Sequence, residues 1–296
     1  MSKQHPLETG QVIASHGRSF RVELADGAVL EASVRGKRTD IACGDQVSAR
    51  RLNAEQAVIE TIQPRRSLLY RQDDWRTKLV AANVTQVVIV LAAFPSFSED
   101  FLGRCLLACE AEHIEPLILL NKNDLPQAEA ARNTLQLYRQ LGYRQLELSA
   151  LQSIEPLQPY LHGHTTVLIG QSGMGKSTII NALLPDANVR TGDISTALDS
   201  GKHTTTHATL YHLDSDSDII DSPGMQEFGL KQIVATDLAA HFPEMRPLLG
   251  GCRFANCRHL SEPNCAIKAA VAAQQIGERR YALYSRVAQE LAASRT

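Results

Sequence analysis

The chain has 296 residues, which is long for a single hydrophobic core and predicts two or three domains. Hydrophobic residues make up 44% of it and charged residues 21%, which excludes a disordered chain and is typical of a folded, soluble protein. The longest strongly apolar run, 87–94, is too short to span a bilayer, and the polar start is not a signal peptide. We therefore expect a cytoplasmic protein that binds no membrane.

The charge is unevenly distributed along the chain, although the net charge is only −2. Residues 1–80 and 231–296 carry small excesses of Lys and Arg, +3 and +4, whereas residues 81–230 carry −9. Two mildly basic ends suit domains that touch a polyanion. Ordinary solvated surface explains the same distribution equally well.

Residues 10–62 contain five short stretches of alternating apolar and polar residues, separated by turn signals such as Asp26-Gly27. Five strands at this spacing predict a small antiparallel barrel, and the OB-fold is the commonest module of that size. Basic residues fall on its strand ends and loops, where such barrels often contact nucleic acid; a protein-interaction barrel with solvated arginines is the alternative. These residues are Arg35, Lys37, Arg38, Arg50 and Arg51. Pro64-Arg65-Arg66 then predicts a linker.

From about residue 83 the pattern changes to alternating strands and helices. The run 84–91 is continuously apolar, as in a parallel strand covered on both faces. A helix over 99–112, a strand over 116–120, a helix over 127–141 and a strand over 145–148 are expected to follow. This alternation predicts an α/β, doubly wound sheet, whose ligands bind at the carboxyl ends of its strands.

Two of these strand ends carry residues suited to a guanine base. They are Asn121, Lys122, Asn123 and Asp124 after one strand, and Ser149 and Ala150 after the next. Asp124 can accept hydrogen bonds from N1–H and the N2 amino group, which adenine does not present together. Asn121 is expected at the N7/O6 side, the Lys122 stem over the ring, and the Ala150 N–H at O6. Either motif alone is weak, but together they predict guanine selectivity.

A third strand end carries a phosphate-binding pattern. The run G-x-x-x-x-G-K-S lies between a short β-rich stretch and a helical pattern, and a following threonine completes the motif. Its glycines let backbone N–H groups wrap a phosphate chain, Lys176 would reach the terminal phosphates, and the Ser177 hydroxyl would bind Mg²⁺. The residues are Gly170, Gln171, Ser172, Gly173, Met174, Gly175, Lys176, Ser177 and Thr178.

A long polar stretch, 185–207, follows this motif and ends in a threonine-rich run. A stretch of that length in a compact domain is typically functional or disordered, and we interpret it as a switch in which Thr205 coordinates Mg²⁺. After two further predicted strands, Asp221 is expected to hold Mg²⁺ through water and the Gly224 N–H to sense the γ-phosphate. Met225 follows, where Ras-like enzymes have a water-orienting glutamine, so His203 is the candidate for positioning water. A surface histidine without that role is the alternative.

These five motifs resemble those of a translation-factor-class GTPase in permuted order, because the guanine motifs precede the phosphate-binding motif. With the barrel before and a cysteine segment after, the chain closely resembles the bacterial ribosome small-subunit-dependent GTPase A family. That resemblance implies a circularly permuted P-loop GTPase domain between an OB-fold barrel and a zinc-binding, mostly helical C-terminal domain. The corresponding bounds are 1–66, 67–230 and 231–296.

The resemblance also implies the function: hydrolysis of GTP to GDP, stimulated by the 30S ribosomal subunit, in late maturation of that subunit through contact with 16S rRNA. We expect no DNA partner and a monomer when free. One alternative is a GTP-controlled binding module with a protein partner. Another is an enzyme that transfers phosphate to a metabolite, which the guanine motifs disfavour.

The family's C-terminal segment binds zinc, and the matching residues here are Cys252, Cys257, His259 and Cys265. Three thiolates and an imidazole satisfy a closed, tetrahedral structural site, which leaves no open position for catalysis. A cluster of buried cysteines without metal is the alternative. The other three cysteines, Cys43, Cys105 and Cys109, lie in apolar surroundings and are expected to be small core residues.

Overall fold

The computed structural model describes residues 6–16, 19–34, 36, 40–73, 76–185, 208–222, 229–230 and 232–293. Its strands are β1 Leu7–His16, β2 Ser19–Leu24, β3 Val29–Val34, β4 Gln46–Arg51, β5 Gln56–Ile62, β6 Leu68–Asp73, β7 Arg76–Ala82, β8 Gln86–Ala92, β9 Glu115–Asn121, β10 Arg144–Glu147, β11 Thr165–Ile169, β12 Thr209–His212 and β13 Asp218–Asp221. Its helices are α1 Glu99–Ala111, α2 Ala128–Gln140, α3 Gln158–Leu161, α4 Lys176–Leu183, α5 Ala266–Ala272 and α6 Glu278–Ala293.

The first five strands form the predicted small barrel. Strand β1 pairs with both β2 and β4, and β3 pairs in parallel with β5, so the sheet closes on itself. Alternate residues point inward and form a separate hydrophobic core that includes Val12, Phe20, Leu30 and Val47. The prediction of a five-stranded OB-fold is confirmed.

The barrel arginines are bound by acidic neighbours. Arg50 donates to Glu60 at 3.2 Å, and Arg51 donates to Glu8 at 3.2 Å and to Asp26 at 2.7 Å. Their charges are therefore largely compensated within the barrel, which weakens the expectation that these two residues meet a polyanion. The other three basic residues that were predicted to contact nucleic acid, Arg35, Lys37 and Arg38, lie outside the described residues.

The central part of the sheet has the doubly wound arrangement expected of the alternating pattern. Strands β10, β9, β8, β11 and β13 are parallel neighbours, and β12 adds an antiparallel strand beside β13. Strand β8 is buried along its whole length because helices cover both faces of the sheet. Helix α1 begins after Ser98, whose hydroxyl accepts from the Phe101 N–H at 3.2 Å. Cys43, Cys105 and Cys109 are buried core residues, as expected.

Residues 64–66, the predicted linker, have no regular secondary structure, but a hairpin that the sequence did not predict follows them. Strands β6 and β7 form an antiparallel hairpin, and the loop before it is held by an ion pair. Arg65 donates to the fully buried carboxylate of Asp45 at 2.6 and 2.7 Å, and the Ala82 N–H donates to the Cys43 carbonyl at 2.8 Å. The barrel is therefore fixed to the segment that follows it.

A strand pairing also joins the barrel to the central part of the sheet. Ala14 of β1 pairs with Thr209 of β12, so eleven of the described strands form one sheet, ordered β10-β9-β8-β11-β13-β12-β1-β2-β3-β5-β4. This pairing brings the barrel within one strand of β13, whose end carries Asp221.

The C-terminal helix α6 lies against α1 through ion pairs between residues far apart in sequence. Arg104 donates to both carboxylate oxygens of Glu290, and Arg279 contacts Glu99 at 2.5 Å. The buried Arg280 pairs with Glu244 at 2.6 Å, and its guanidinium lies 4.7 Å from the centre of the Phe242 ring. These contacts fix α6 on the central domain. Among the described helices, none has the length and hydropathy needed to cross a membrane.

Candidate active site and metal-ligating cluster

The glycine-rich loop connects β11 to α4 at the carboxyl edge of the sheet. Gly173 and Gly175 have φ angles of +79° and +95°, in the left-handed region that side chains disfavour. Lys176, the first residue of α4, donates to the carbonyl oxygens of Gly170 and, at 2.9 Å, Gln171. Burial lowers the pKa of this ammonium group, while the charge of Asp221 acts in the opposite direction. The loop thus holds a mostly buried cation beside exposed backbone.

Asn121 and Lys122, at the end of β9, contact that loop directly. The Asn121 side chain is only 2% exposed, and its Nδ2 donates to the Met174 carbonyl at 3.0 Å. Lys122 Nζ donates to the Gly173 carbonyl at 2.8 Å and to the Phe94 carbonyl at 2.8 Å. Segments some fifty residues apart in the chain are therefore cross-linked at one edge of the sheet.

The same asparagine also holds the loop that follows β10. Its Oδ1 accepts from the Ala150 N–H at 3.0 Å, so Asn121 bridges this loop and the glycine-rich loop. The two groups that the sequence assigned to guanine, the Asn121 amide and the Ala150 N–H, thus hydrogen-bond each other in this structure. Ser149 is buried beside them, and Asp124 lies exposed in the turn after Lys122.

Asp221 lies at the end of β13, the parallel neighbour of β11, and is mostly buried near Lys176. Burial raises the pKa of its carboxyl group, and the Lys176 charge partly offsets that effect. Ser177 and Thr178 lie in the first turn of α4, with Ser177 exposed. His203, Thr205, Gly224 and Met225 lie outside the described residues.

The loop after β8 contributes contacts that the sequence analysis missed. The Ser98 N–H, at the start of α1, donates to the side chain of Gln171 at 2.9 Å. A cavity of about 440 Å³ lies beside this contact, between the glycine-rich loop and α1, and its wall includes Ser172 and Asp100. Part of this arrangement could have been predicted, because β8 is parallel to β9 and β11 and so ends at the same edge of the sheet.

The four predicted zinc ligands converge in the C-terminal part of the chain. Ligand atoms of Cys252, Cys257, His259 and Cys265 all lie within 4.8 Å of one another. The Cys252 and Cys265 sulfur atoms are 3.8 Å apart, and each is 3.4 Å from His259 Nδ1. Tetrahedral zinc with Zn–S bonds of about 2.3 Å would place two sulfur ligands about 3.8 Å apart. The donor set and its spacing therefore fit zinc.

Surrounding groups fix the backbone of this cluster. Tyr281 and Tyr284 of α6 each donate at 2.8 Å, to the carbonyl oxygens of His259 and Arg258. Glu262 accepts three backbone N–H bonds, from residues 258, 260 and 261, which lower the pKa of its carboxyl group to about 2. The histidine ligand is thereby held on a loop that is tied to α6.

Comparison with known proteins identifies the family. The sequence model of the RsgA GTPase family matches residues 62–231, which is more than half of the chain. The chain belongs to the RsgA GTPase family. Members of this family are GTP hydrolases, and the chain is one of them; its fold is a circularly permuted P-loop GTPase domain between an OB-fold barrel and a mostly helical C-terminal domain.

Relatives of known name match over nearly the full length. The small ribosomal subunit biogenesis GTPase RsgA of Neisseria meningitidis serogroup C is 54% identical over 98% of this chain and 94% of its own. The protein of the same name from Nitrosospira multiformis is 51% identical over 98% and 93%.

Two solved structures share the architecture. The crystal structure of YjeQ from Thermotoga maritima has a TM-score of 0.72 and 28% identity, covering 97% of this chain and 99% of its own. That of YloQ, described as a circularly permuted GTPase, has a TM-score of 0.71 and 27% identity, covering 99% and 98%. The permuted motif order predicted from the sequence is thus confirmed.

Proposed function

We propose that this GTPase binds the 30S ribosomal subunit, contacts 16S rRNA and assists late maturation of the subunit, which stimulates its hydrolysis of GTP. The names and full-length similarity of the relatives support the ribosomal assignment. One observation in the structure carries the nucleotide site: Asn121 and Lys122 hydrogen-bond to the glycine-rich loop. A base-selecting strand end and a phosphate-binding loop can then act on the same nucleotide.

In this proposal each strand end handles one part of GTP. Asp124 accepts from the guanine N1–H and N2 amino groups, while the Lys122 stem covers the ring. Asn121 holds the glycine-rich loop and the loop after β10 together. Ser149, Ala150 and Asn123 complete the wall on the base side. The backbone N–H groups of 170–178 and the start of α4 hold the phosphates.

Phosphoryl transfer depends on positioning and on neutralising charge, because the transition state spreads negative charge over the terminal phosphate oxygens. We assign Lys176 to those oxygens, and Ser177, Thr205 and Asp221 to Mg²⁺, which supplies further positive charge when bound. Gly224 would sense the γ-phosphate through its N–H. His203 is our candidate for orienting water, because Met225 has no group that can hydrogen-bond strongly.

The cysteine–histidine cluster is proposed to hold one structural zinc ion. Cys252, Cys257 and Cys265 supply thiolates, and His259 supplies Nδ1, the ring nitrogen that faces two of the sulfur atoms. Four protein ligands close the coordination sphere, so the ion stabilises the loop against α6 and takes no part in hydrolysis. The domain bounds 1–66, 67–230 and 231–296 belong to the same proposal.

The ribosomal proposal is tested by the rate of GTP hydrolysis measured for the protein alone, with 30S subunits and with 50S subunits. We expect stimulation by 30S alone, because the subunit would supply or order the polar group that Met225 cannot provide. A Lys176→Ala protein prepared in parallel controls for contaminating GTPases. Equal rates under all three conditions would contradict the proposal and favour the protein-partner alternative.

A further inference from the structure

His212 lies between two carboxylates that belong to different parts of the molecule. Its Nε2 is 2.6 Å from Glu23 Oε2 on β2 of the barrel, and its Nδ1 is 2.7 Å from Asp218 Oδ1 on β13. An ionised carboxylate can only accept a hydrogen bond, so each ring nitrogen needs its own hydrogen. A neutral imidazole carries one N–H, and only the imidazolium form satisfies both contacts.

The groups around His212 favour the charged ring. Asp218 also accepts from the Thr165 hydroxyl at 3.3 Å, and the turn between β12 and β13 carries Asp214 and Asp216. Among the described residues that line the same groove, the other cation is Arg21, which lies 3.8 Å from Glu31. The His212 side chain is 48% exposed, so water screens these interactions in part. The net local charge remains negative.

The position of this contact relates the barrel to the proposed active site. Strand β12, which ends at His212, pairs with barrel strand β1 at Thr209 and Ala14, and Thr209 pairs on its other side with Asp221. Ala14, Thr209 and Asp221 therefore form a row across three strands. The Ser15 N–H donates to Ala208 at 3.3 Å, only three residues after Thr205 in the chain.

We propose that protonated His212 clamps the barrel against β12 and thereby positions Asp221 for Mg²⁺. His212 is a positioning residue in this account, because it acts through two strand pairings rather than on the nucleotide. The effect on turnover rests on the proposed role of Asp221. A ligand that moves the barrel would then reach the active site along this row of strands.

The clamp predicts a pH dependence with a definite sign. Partial burial lowers the pKa of His212, but the hydrogen bonds to Glu23 and Asp218 outweigh it, so the pKa rises above its ordinary value of 6.5. A group whose pKa is raised in the docked state contributes fully below its undocked pKa. The contribution is lost as the pH rises through the raised pKa. Docking of the barrel should therefore weaken as the pH rises past 6.5 and through the raised pKa.

Two substitutions separate charge from shape, and a third is a control. In His212→Arg the side chain stays charged at every accessible pH and can donate to both carboxylates, whereas in His212→Gln it is neutral. The matched control is His162→Gln, because His162 is 72% exposed and its ion pair with Asp214, at 3.5 Å, does not reach the barrel. Each full-length protein is compared with the unmodified chain between about pH 6 and pH 8.5.

The first readout is independent of catalysis: NMR titration of His212, and amide exchange at Ser15 and Thr209. We expect a His212 pKa above 6.5. Relative to the intrinsic exchange rate at each pH, we expect these amides to lose protection at high pH in the unmodified protein and at every pH in His212→Gln. The second readout is the rate of GTP hydrolysis. At pH 6 we expect His212→Gln to hydrolyse GTP about threefold more slowly than the unmodified protein, and His212→Arg to keep the unmodified rate. As the pH rises, the rate of the unmodified protein should fall relative to that of His212→Arg.

The results distinguish failure of the clamp from failure of the proposed function. A His212 pKa at or below 6.5, or exchange at Ser15 that is the same in all four proteins, would overturn the clamp whatever the hydrolysis rates are. If His212 titrates and exchange responds as expected but the hydrolysis ratio stays flat, the clamp exists but does not position Asp221. Loss of hydrolysis in every protein, with the clamp intact, would refute the proposed active site instead.

Discussion

Replacing Gly175 with alanine is expected to weaken GTP binding about 100-fold, because it breaks the contact between the two halves of the site. Gly175 has φ +95°, and an added Cβ would lie 2.2 Å from Asn121 Nδ2. The strained backbone lowers the stability of the fold by roughly 1–2 kcal/mol. Displacing Asn121 leaves buried groups of the two loops without their hydrogen bonds, at roughly 1–3 kcal/mol, and a 100-fold loss of affinity corresponds to about 2.8 kcal/mol. The measurement is the Kd of a fluorescent GTP analogue.

Gly142→Ala is the matched control for this substitution. Gly142 has a similar φ, +91°, but no atom lies within 4 Å of the added Cβ. This variant should lose about 1 kcal/mol of stability through backbone strain and bind GTP normally. If both alanine variants bound the analogue as tightly as the unmodified protein, Asn121 would not be holding the two loops together.

Replacing Cys265 with alanine is expected to abolish stoichiometric zinc binding and loosen α5 and α6. Cys265 is buried, directly precedes α5, and lies 3.8 Å from the Cys252 sulfur atom. Losing one of four ligands leaves an open site, and the binding energy of structural zinc is also folding energy. We expect one zinc per unmodified chain by elemental analysis, and faster amide exchange in residues 252–293 of the variant.

Cys105→Ala controls for the loss of a buried sulfur atom. Cys105 lies in the core of the central domain, far in sequence from the cluster, and its loss should cost about 1–2 kcal/mol of stability. Zinc content should not change. Stoichiometric zinc that survives a chelator in Cys265→Ala, or no zinc in the unmodified protein, would contradict the assignment.

Motifs that are contiguous in the sequence were predictable, because each is defined by neighbouring residues. The glycine-rich loop, the strand end at 121–124 and the spacing of the cysteines all belong to this class. Their shared location followed from one further rule, that parallel strands place their carboxyl ends at the same edge of a sheet. The fold of the central domain and the permuted order could therefore be predicted from the sequence.

Contacts between distant residues could not be predicted in the same way. The sequence at 73–76 contains no glycine or proline, so it gave only a weak signal for the hairpin β6–β7. The bridging role of Asn121, the Arg65–Asp45 ion pair and the pairing of β1 with β12 each depend on where two folded parts meet. Such contacts are set by tertiary packing, which local residue patterns do not encode.

The nucleotide selectivity of Asp124→Asn tests most directly whether the end of β9 and the glycine-rich loop serve one guanine nucleotide. Xanthine has a carbonyl where guanine has its N2 amino group, so an amide at 124 can donate where the carboxylate could only accept. We predict that this variant loses affinity for GTP and gains affinity for XTP, while Asp216→Asn, on an exposed turn, keeps normal selectivity. Unchanged preference for GTP over XTP in Asp124→Asn would contradict it.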